Sequence, residues 1–541
     1  MSEGFDYVVI GAGSGGCTVA ARLSEDPSAQ VLLLEAGGSN LKLEVRAPAA
    51  FPKLFHGNVD WDYWTEPEPH LNNRLIYSPR GKMLGGSSSM NAMIYIRGNR
   101  VDYDGWAQSG ATGWSYDEVL PVFKNSENNE QIHDEFHGQG GPLNVTKLKD
   151  VDPVTLTLVE AASAIGIPRN EDFNGARQDG TGQLQVTHRR GMRQSAAEAF
   201  LKPARKRKNL TIRKHALATR IVVERGRAVA VEVRDAKGNT ERIAVRSEVI
   251  LSAGAFNTPA LLQYSGIGPA EFLRSVGVEP VADLPAVGEH LMEHPIVYAT
   301  YELAGGHVGL FDAEEPRQLV TWLLRHRGKL TSNVAECGAH IRTDPTMPAP
   351  NFQILFAPAF FFEHGLVSWD APAATIACSY IAPRSRGHVR IRSADPARKP
   401  LVHYNMLSTD DEMQEMVDAV ERAREIAAAG PARRALGAEI TPGPTVRSRD
   451  EIAEWVRATC QHTYHPSCTA RIGGPEDGVV DPELRVHGIE GLRIADASVM
   501  PTVIRGNTHA PTVMIAERCA ELVRRSGKRA DVGTTMVAAS A

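Results

Sequence analysis

An α/β fold in two parts is the prediction for this chain, and three features carry it. The first 34 residues read as strand, glycine-rich turn, helix and strand; a middle region mixes alternating β-rich runs with one long amphipathic helix; and 541 residues exceed what a single hydrophobic core usually serves. The first part is expected to be Rossmann-like. The second is expected to be an α+β domain, discontinuous in sequence, with an antiparallel sheet backed by helices.

Asp6 to Ile10 is a short β-branched run, Ser14 to Leu23 has helical composition, and Gln30 to Leu34 is again strand-like, which makes a βαβ unit. Between the first strand and the helix, Gly11, Gly13 and Gly16 fit G-x-G-x-x-G. The first permits a tight turn, the second lets backbone approach a pyrophosphate, and the third lets helix and strand pack closely. The helix opening at Ser14 then offers free N–H groups to phosphates. Glu35 follows Gly11 by 24 residues, at the end of the second strand, where a carboxylate accepts hydrogen bonds from both ribose hydroxyls and disfavours a 2′-phosphate. Read without function, the same residues are a glycine-rich turn and an acid solvating a strand end. The fingerprint does not separate nicotinamide from flavin.

From Asn209 to Ala253, β-rich runs are separated by Arg225-Gly226-Arg227 and Lys237-Gly238-Asn239, a meander that ends in Glu248 to Leu251 and belongs with the first part. In the middle, Asn351 to Phe356 alternates, while Ala374 to Ile381 and His388 to Arg392 are strand-like. Asp410 to Ala429 reads as a helix with Met413, Met416, Val417 and Val420 on one face, stopped by a left-handed cap at Gly430 and by Pro431. Gly491 to Ala495 is a further strand. Pro511 to Val523 is a final helix with its proline at the first position, and both return the chain to the first part.

With 59 basic and 64 acidic residues, the formal charge of −5 offers no attraction to a polyanion, so no nucleic-acid partner is expected. The six cysteines are scattered, and the N-terminus has no apolar run long enough for a secretory signal, which predicts reduced thiols and a cytoplasmic location. No apolar run reaches the roughly 20 residues of a spanning helix, leaving only peripheral membrane contact open.

Several longer motifs point to a family. Ser78 to Asn99, containing Gly85-Gly86-Ser87-Ser88-Ser89-Met90-Asn91-Ala92, resembles one signature of the glucose-methanol-choline (GMC) oxidoreductases, and Gly254 to Gly268 resembles the other. Tyr464-His465-Pro466-Ser467-Cys468-Thr469 and Asp496 to Pro501 extend the likeness over nearly the whole chain, with features of its choline dehydrogenase-like and alcohol dehydrogenase-like members. The resemblance implies FAD and hydride transfer from an alcohol carbon to flavin N5. It places Gly86, Ser89, Asn91 and Ala92 along the cofactor, Asp496 and Ala497 at its ribityl or pyrophosphate region, and Ala218 at the adenine. Some relatives attach FAD through a histidine where this chain has Met90; a thioether cannot form that bond, so non-covalent FAD is expected.

The resemblance also makes His465 the general base and Asn507, 42 residues on, the partner that orients the alkoxide. Histidine suits a base whose pKa lies near the working pH. His509 is the competing choice for the second position. The start of the last helix is expected to lend positive charge to the reduced flavin. Cys460, His462, His465 and Cys468 have a zinc-like spacing, but a ligated His465 could not act as base, and no metal is expected. The expected substrate is a primary alcohol, aliphatic or aromatic, oxidised to the aldehyde, with oxygen or a quinone- or dye-type acceptor taking the electrons. Phe360 to Phe362, with Phe352 and Phe356, are candidates for an apolar pocket wall, and Glu336 or Glu363 for an acid that would face a quaternary ammonium. Two other readings stand beside this one: a hydroxynitrile lyase-like enzyme of the same fold with structural FAD, and a nicotinamide-dependent dehydrogenase. The expected organisation assigns 1–145, 205–290 and 455–527 to the FAD-binding domain, 146–204 and 291–454 to the substrate domain, and 528–541 to a flexible tail.

Overall fold

A computed structural model of the chain describes residues 4–526; the tail expected at 528–541 lies outside the described residues. Phe5–Ile10, Val31–Leu34 and Leu210–Arg213 lie side by side in a parallel sheet, with Thr240–Leu251 on the other flank of the first strand and Leu492–Ile494 beyond it. Strand order therefore reverses between Phe5–Ile10 and Thr240–Leu251, and such a reversal opens a crevice at the carboxyl ends of the strands. Continuous apolar runs form these strands because both faces are covered: Val8, Val9, Leu32 and Leu33 have no exposed surface.

Thr240–Leu251 is long because it serves two pairings. Its first half pairs antiparallel with Arg227–Arg234, which pairs in turn with Leu217–Glu224, and its second half from Val245 enters the parallel sheet. The expected meander is thus continuous with the nucleotide-binding sheet.

The second sheet runs Leu436–Thr441, Pro295–Leu303, Ala373–Tyr380, Phe352–Ala357, Cys337–Ile341 and Gly180–Gln183, antiparallel throughout. Its two faces follow the period of two. Val297, Ala299, Ile354, Ile376 and Cys378 pack in one core with residues of Pro153–Ala164, Asp410–Ala428 and Arg449–Thr459, while Ile296, Tyr298, Leu355 and Ala377 belong to a separate cluster on the opposite face. Phe352 and Phe356 fall on the helix side, so they are core residues and not pocket walls.

Three local expectations change. His388–Arg390 pairs with Leu401–His403 in a separate two-stranded ribbon. The helix Asp410–Ala428 ends because Ala429 turns extended (φ −64°, ψ 149°), without a left-handed Gly430. The last helix opens at His509, which moves Pro511 from its first to its third position; the first four N–H groups of a helix lack internal partners, so proline is tolerated there too.

Candidate functional site

One cavity is lined by residues from both parts of the fold. Its nucleotide end begins at the glycine turn. Gly11 has φ +92°, and a Cβ there would lie 2.6 Å from the Ser252 carbonyl oxygen. Gly86 has φ +51°, and its Cβ would lie 2.8 Å from Gly13 Cα, so the two glycine loops meet backbone to backbone. Gly16 packs the helix on the strand: a Cβ would come within 1.8 Å of the Gly11 carbonyl oxygen. No side chain caps the helix Ser14–Leu23, and Gly13, Ser14 and Gly15 line the cavity. An uncapped helix start facing a cavity is an anion site, and these residues fit a dinucleotide pyrophosphate.

Glu35 sits at the same end with Ala216, Leu217 and Ala218. Its oxygens accept the N–H groups of Ala12 (2.9 Å) and Gly37 (2.7 Å), and burial raises its pKa to about 7. Asp496 accepts from the Gly254 N–H (2.8 Å), the Thr258 hydroxyl (2.6 Å) and the Ser498 N–H (2.8 Å), and with Ala497 it borders the cavity. Gly86, Met90, Asn91 and Ala92 line it further on. Ser89 does not: its hydroxyl donates to the Leu84 carbonyl (2.8 Å), and Ser87 and Ser88 flank the cavity instead.

At the far end stand His465 and Asn507. Tyr464 has the rare left-handed conformation (φ +66°), which costs a non-glycine residue about 1–2 kcal/mol. Both terminal nitrogens of Arg80 hold its carbonyl at 3.0 Å, and His462 Nδ1 accepts its N–H at 3.0 Å. This strained turn presents His465, whose own N–H is held by Glu293 Oε1 at 2.7 Å. Asn507 Nδ2 lies 3.2 Å from His465 Nε2, and Gln353 Nε2 donates to Asn507 Oδ1 at 3.0 Å. His509 is elsewhere, its Nδ1 2.9 Å from the Ser14 hydroxyl.

The His465 pKa departs from the near-neutral value expected of it. Burial first, then the nearby His294, Arg80 and His462, push it well below the usual imidazole range. The ring therefore stands unprotonated at working pH, the state a base needs.

Facing this pair, Ile296, Tyr298, Leu355, Ala357 and Ala377 of the second sheet join Phe51, Phe55 and Phe361. Of the three consecutive phenylalanines, Phe361 alone lines the cavity; Phe360 stacks on Trp369 with ring centroids 5.7 Å apart. Neither candidate acid reaches it. Glu336 accepts the Asp152 N–H (2.8 Å) and Thr155 hydroxyl (3.0 Å) at the start of Pro153–Ala164, and Glu363 accepts from Gln461 (2.9 Å). The zinc-like set is dispersed: His462 has one nitrogen on the Tyr77 carbonyl (2.8 Å) and the other on the Tyr464 N–H, while Cys460 and Cys468 belong to different cores. Asp134, His137 and Asp172 bring three ligating atoms together, but His137 already bonds Glu127 (3.1 Å) and Asp172 (2.9 Å); burial lowers its pKa, and these two carboxylates outweigh it and raise the pKa to about 9, which favours a proton over a metal ion.

Sequence reading missed Glu293, His294, Gln353 and Arg193. The first two flag themselves only as a polar pair set before an apolar strand, Glu293-His294-Pro295. Arg193 is a buried guanidinium that donates to the Asn91 side chain (2.8 Å) and the Val45 carbonyl (2.8 Å), tying the Ser87 to Ala92 loop in place.

A dinucleotide crevice continuous with a buried chamber that carries an imidazole defines a two-part, cofactor-dependent oxidoreductase. Sequence comparison gives the family. The N-terminal GMC oxidoreductase model matches residues 5–296 and the C-terminal one residues 383–516. The chain is 39% identical to alcohol dehydrogenase [acceptor] of Pseudomonas putida, over 96% of each protein, and 39% identical to mitochondrial choline dehydrogenase of Homo sapiens, over 96% of this chain and 90% of that one. Among solved structures, pyridoxine 4-oxidase from Mesorbium loti superposes with a TM-score of 0.88 at 31% identity, covering 96% of this chain and 98% of that one. The chain belongs to the GMC oxidoreductase family and is an FAD-dependent oxidoreductase. No helix among the described residues is long and apolar enough to cross a membrane.

Proposed function

We propose that this protein oxidises a neutral, largely apolar primary alcohol to the aldehyde, with His465 as general base and Asn507 as its partner. The observation that carries the reading is the His465 Nε2 to Asn507 Nδ2 approach of 3.2 Å, at the end of the cavity that begins at the glycine turn. FAD, held without a covalent link by Gly11, Gly13, Ser14, Glu35, Gly86, Asn91, Ala92, Ala218, Asp496 and Ala497, supplies the hydride acceptor. The chain's own part is proton chemistry. His465 Nε2 takes the hydroxyl proton while the Asn507 amide N–H steadies the negative oxygen, and the start of the last helix adds partial positive charge beside them.

The substrate class follows from the chamber wall. The acids lining the cavity are Glu35 and Asp496, both engaged with backbone N–H groups at the nucleotide end. A quaternary ammonium would find aromatic faces but no carboxylate lining the cavity at the His465 end, since Glu293 lies behind the ring, whereas an alkyl or aryl group would meet Ile296, Leu355 and Phe361. Oxygen or a quinone-type molecule would serve as the final electron acceptor.

Anaerobic mixing with alkanols, benzylic alcohols and choline is the test. Flavin bleaching by the neutral alcohols in the wild type, lost by a factor of about 10²–10⁴ in His465→Ala with FAD still bound, is the expected result. Bleaching at a near-normal rate in the variant would reject the assignment of the base. Absence of bleaching by any alcohol would turn the reading toward a lyase of the same fold.

A further inference from the structure

We propose that His294 is a positioning residue that fixes the tautomer of His465, keeping its proton on Nδ1 so that Nε2 stays unprotonated toward the substrate. The inference rests on the reading of His465 as base. Its geometry, however, stands independently. The two Nδ1 atoms lie 2.9 Å apart, with ring centroids at 5.1 Å and planes at 82°. Two nitrogens at that distance hold one proton between them, since two would collide and none would oppose two lone pairs.

The direction of the bond is set from the Asn507 side. Gln353 donates to Asn507 Oδ1 at 3.0 Å, which turns the Asn507 Nδ2 donor toward His465 Nε2 at 3.2 Å. A donor there requires Nε2 to accept, so the proton of neutral His465 sits on Nδ1 and points at His294. His294 therefore accepts on its Nδ1 and carries its own proton on Nε2, an atom buried without a hydrogen-bond partner.

His294 is also held in place. Its N–H donates to Glu293 Oε1 at 2.8 Å, the same oxygen that takes the His465 N–H at 2.7 Å, and its carbonyl accepts from the Thr463 N–H at 2.9 Å. Burial pushes its pKa down to about 3, so the acceptor on Nδ1 stays bare. When the hydroxyl proton moves to His465 Nε2, the imidazolium carries N–H on both nitrogens, and the Nδ1–H still has its acceptor.

The test uses holoenzyme labelled with ¹⁵N in the histidine rings. His294→Ala removes the acceptor, and His294→Asn returns an amide oxygen near the Nδ1 position. Expected are a protonated Nδ1 and a bare Nε2 on His465 in the wild type, and loss of that preference in His294→Ala. Flavin reduction should slow about 10- to 100-fold in His294→Ala with KM little changed, and recover in part in His294→Asn. A wild-type His465 protonated on Nε2 would overturn the proposal, as would a rate loss in His294→Ala with the tautomer unmoved, which marks a merely structural role. Failure of the base assignment itself is separately visible as near-normal flavin reduction in His465→Ala.

Discussion

Replacing Glu293 by glutamine should flatten the pH dependence of stability. Glu293 is buried behind the reaction end, where one oxygen accepts the N–H groups of His294 and His465 and the other accepts no hydrogen bond, with His462 Nδ1 3.8 Å away. Burial, opposed by the nearby Arg80 charge and those two N–H bonds, raises its pKa from 4.5 to about 8. The folded chain thus holds a proton that the unfolded chain releases. Its stabilising contribution is whole below pH 4.5 and is lost as the pH climbs through 8. At 1.36 kcal/mol per pH unit, the ceiling over that window is about 5 kcal/mol. Glutamine keeps an oxygen for both N–H groups and has no proton to lose. Apparent melting temperatures of wild type and Glu293→Gln, measured at intervals from pH 5 to 8.5, should therefore diverge, with the wild type falling more steeply as the pH rises. Parallel curves would refute the reasoning, because the other buried carboxyls whose pKa burial raises to about 7, those of Glu35, Glu68 and Glu336, are common to both proteins and cancel in the comparison.

Two further outcomes concern the cofactor. Gly86→Ala forces a left-handed Cβ toward Gly13, at about 1–2 kcal/mol for the conformation alone, so FAD affinity should fall roughly 10-fold; an unchanged flavin-to-protein ratio on dilution would count against the loop contact. Acid precipitation of the wild type should leave the yellow colour in the supernatant, since Met90 offers no imidazole for attachment, whereas colour carried down with the pellet would contradict non-covalent binding.

The nucleotide half was legible because its chemistry is local. A strand, a helix start and glycines at fixed spacing determine where backbone N–H groups point, and the helix Ser14–Leu23 has the bounds that its composition suggests. The second sheet was legible as alternation, but which side of it faced the cavity was not: Phe352 and Phe356 looked like pocket residues, and Leu355 between them took that place.

By itself, the sequence determined the family, the nucleotide turn and the pairing of His465 with Asn507, since each is written in short runs whose spacing survives without knowledge of the fold. The tertiary structure decided what surrounds them. Glu293 and His294 lie 172 and 171 residues from His465, and Gln353 lies 154 from Asn507, yet all three bonds are made within one small volume. A hydrogen bond depends on distance and direction in space, and over such separations along the chain only the packing of the two sheets sets either.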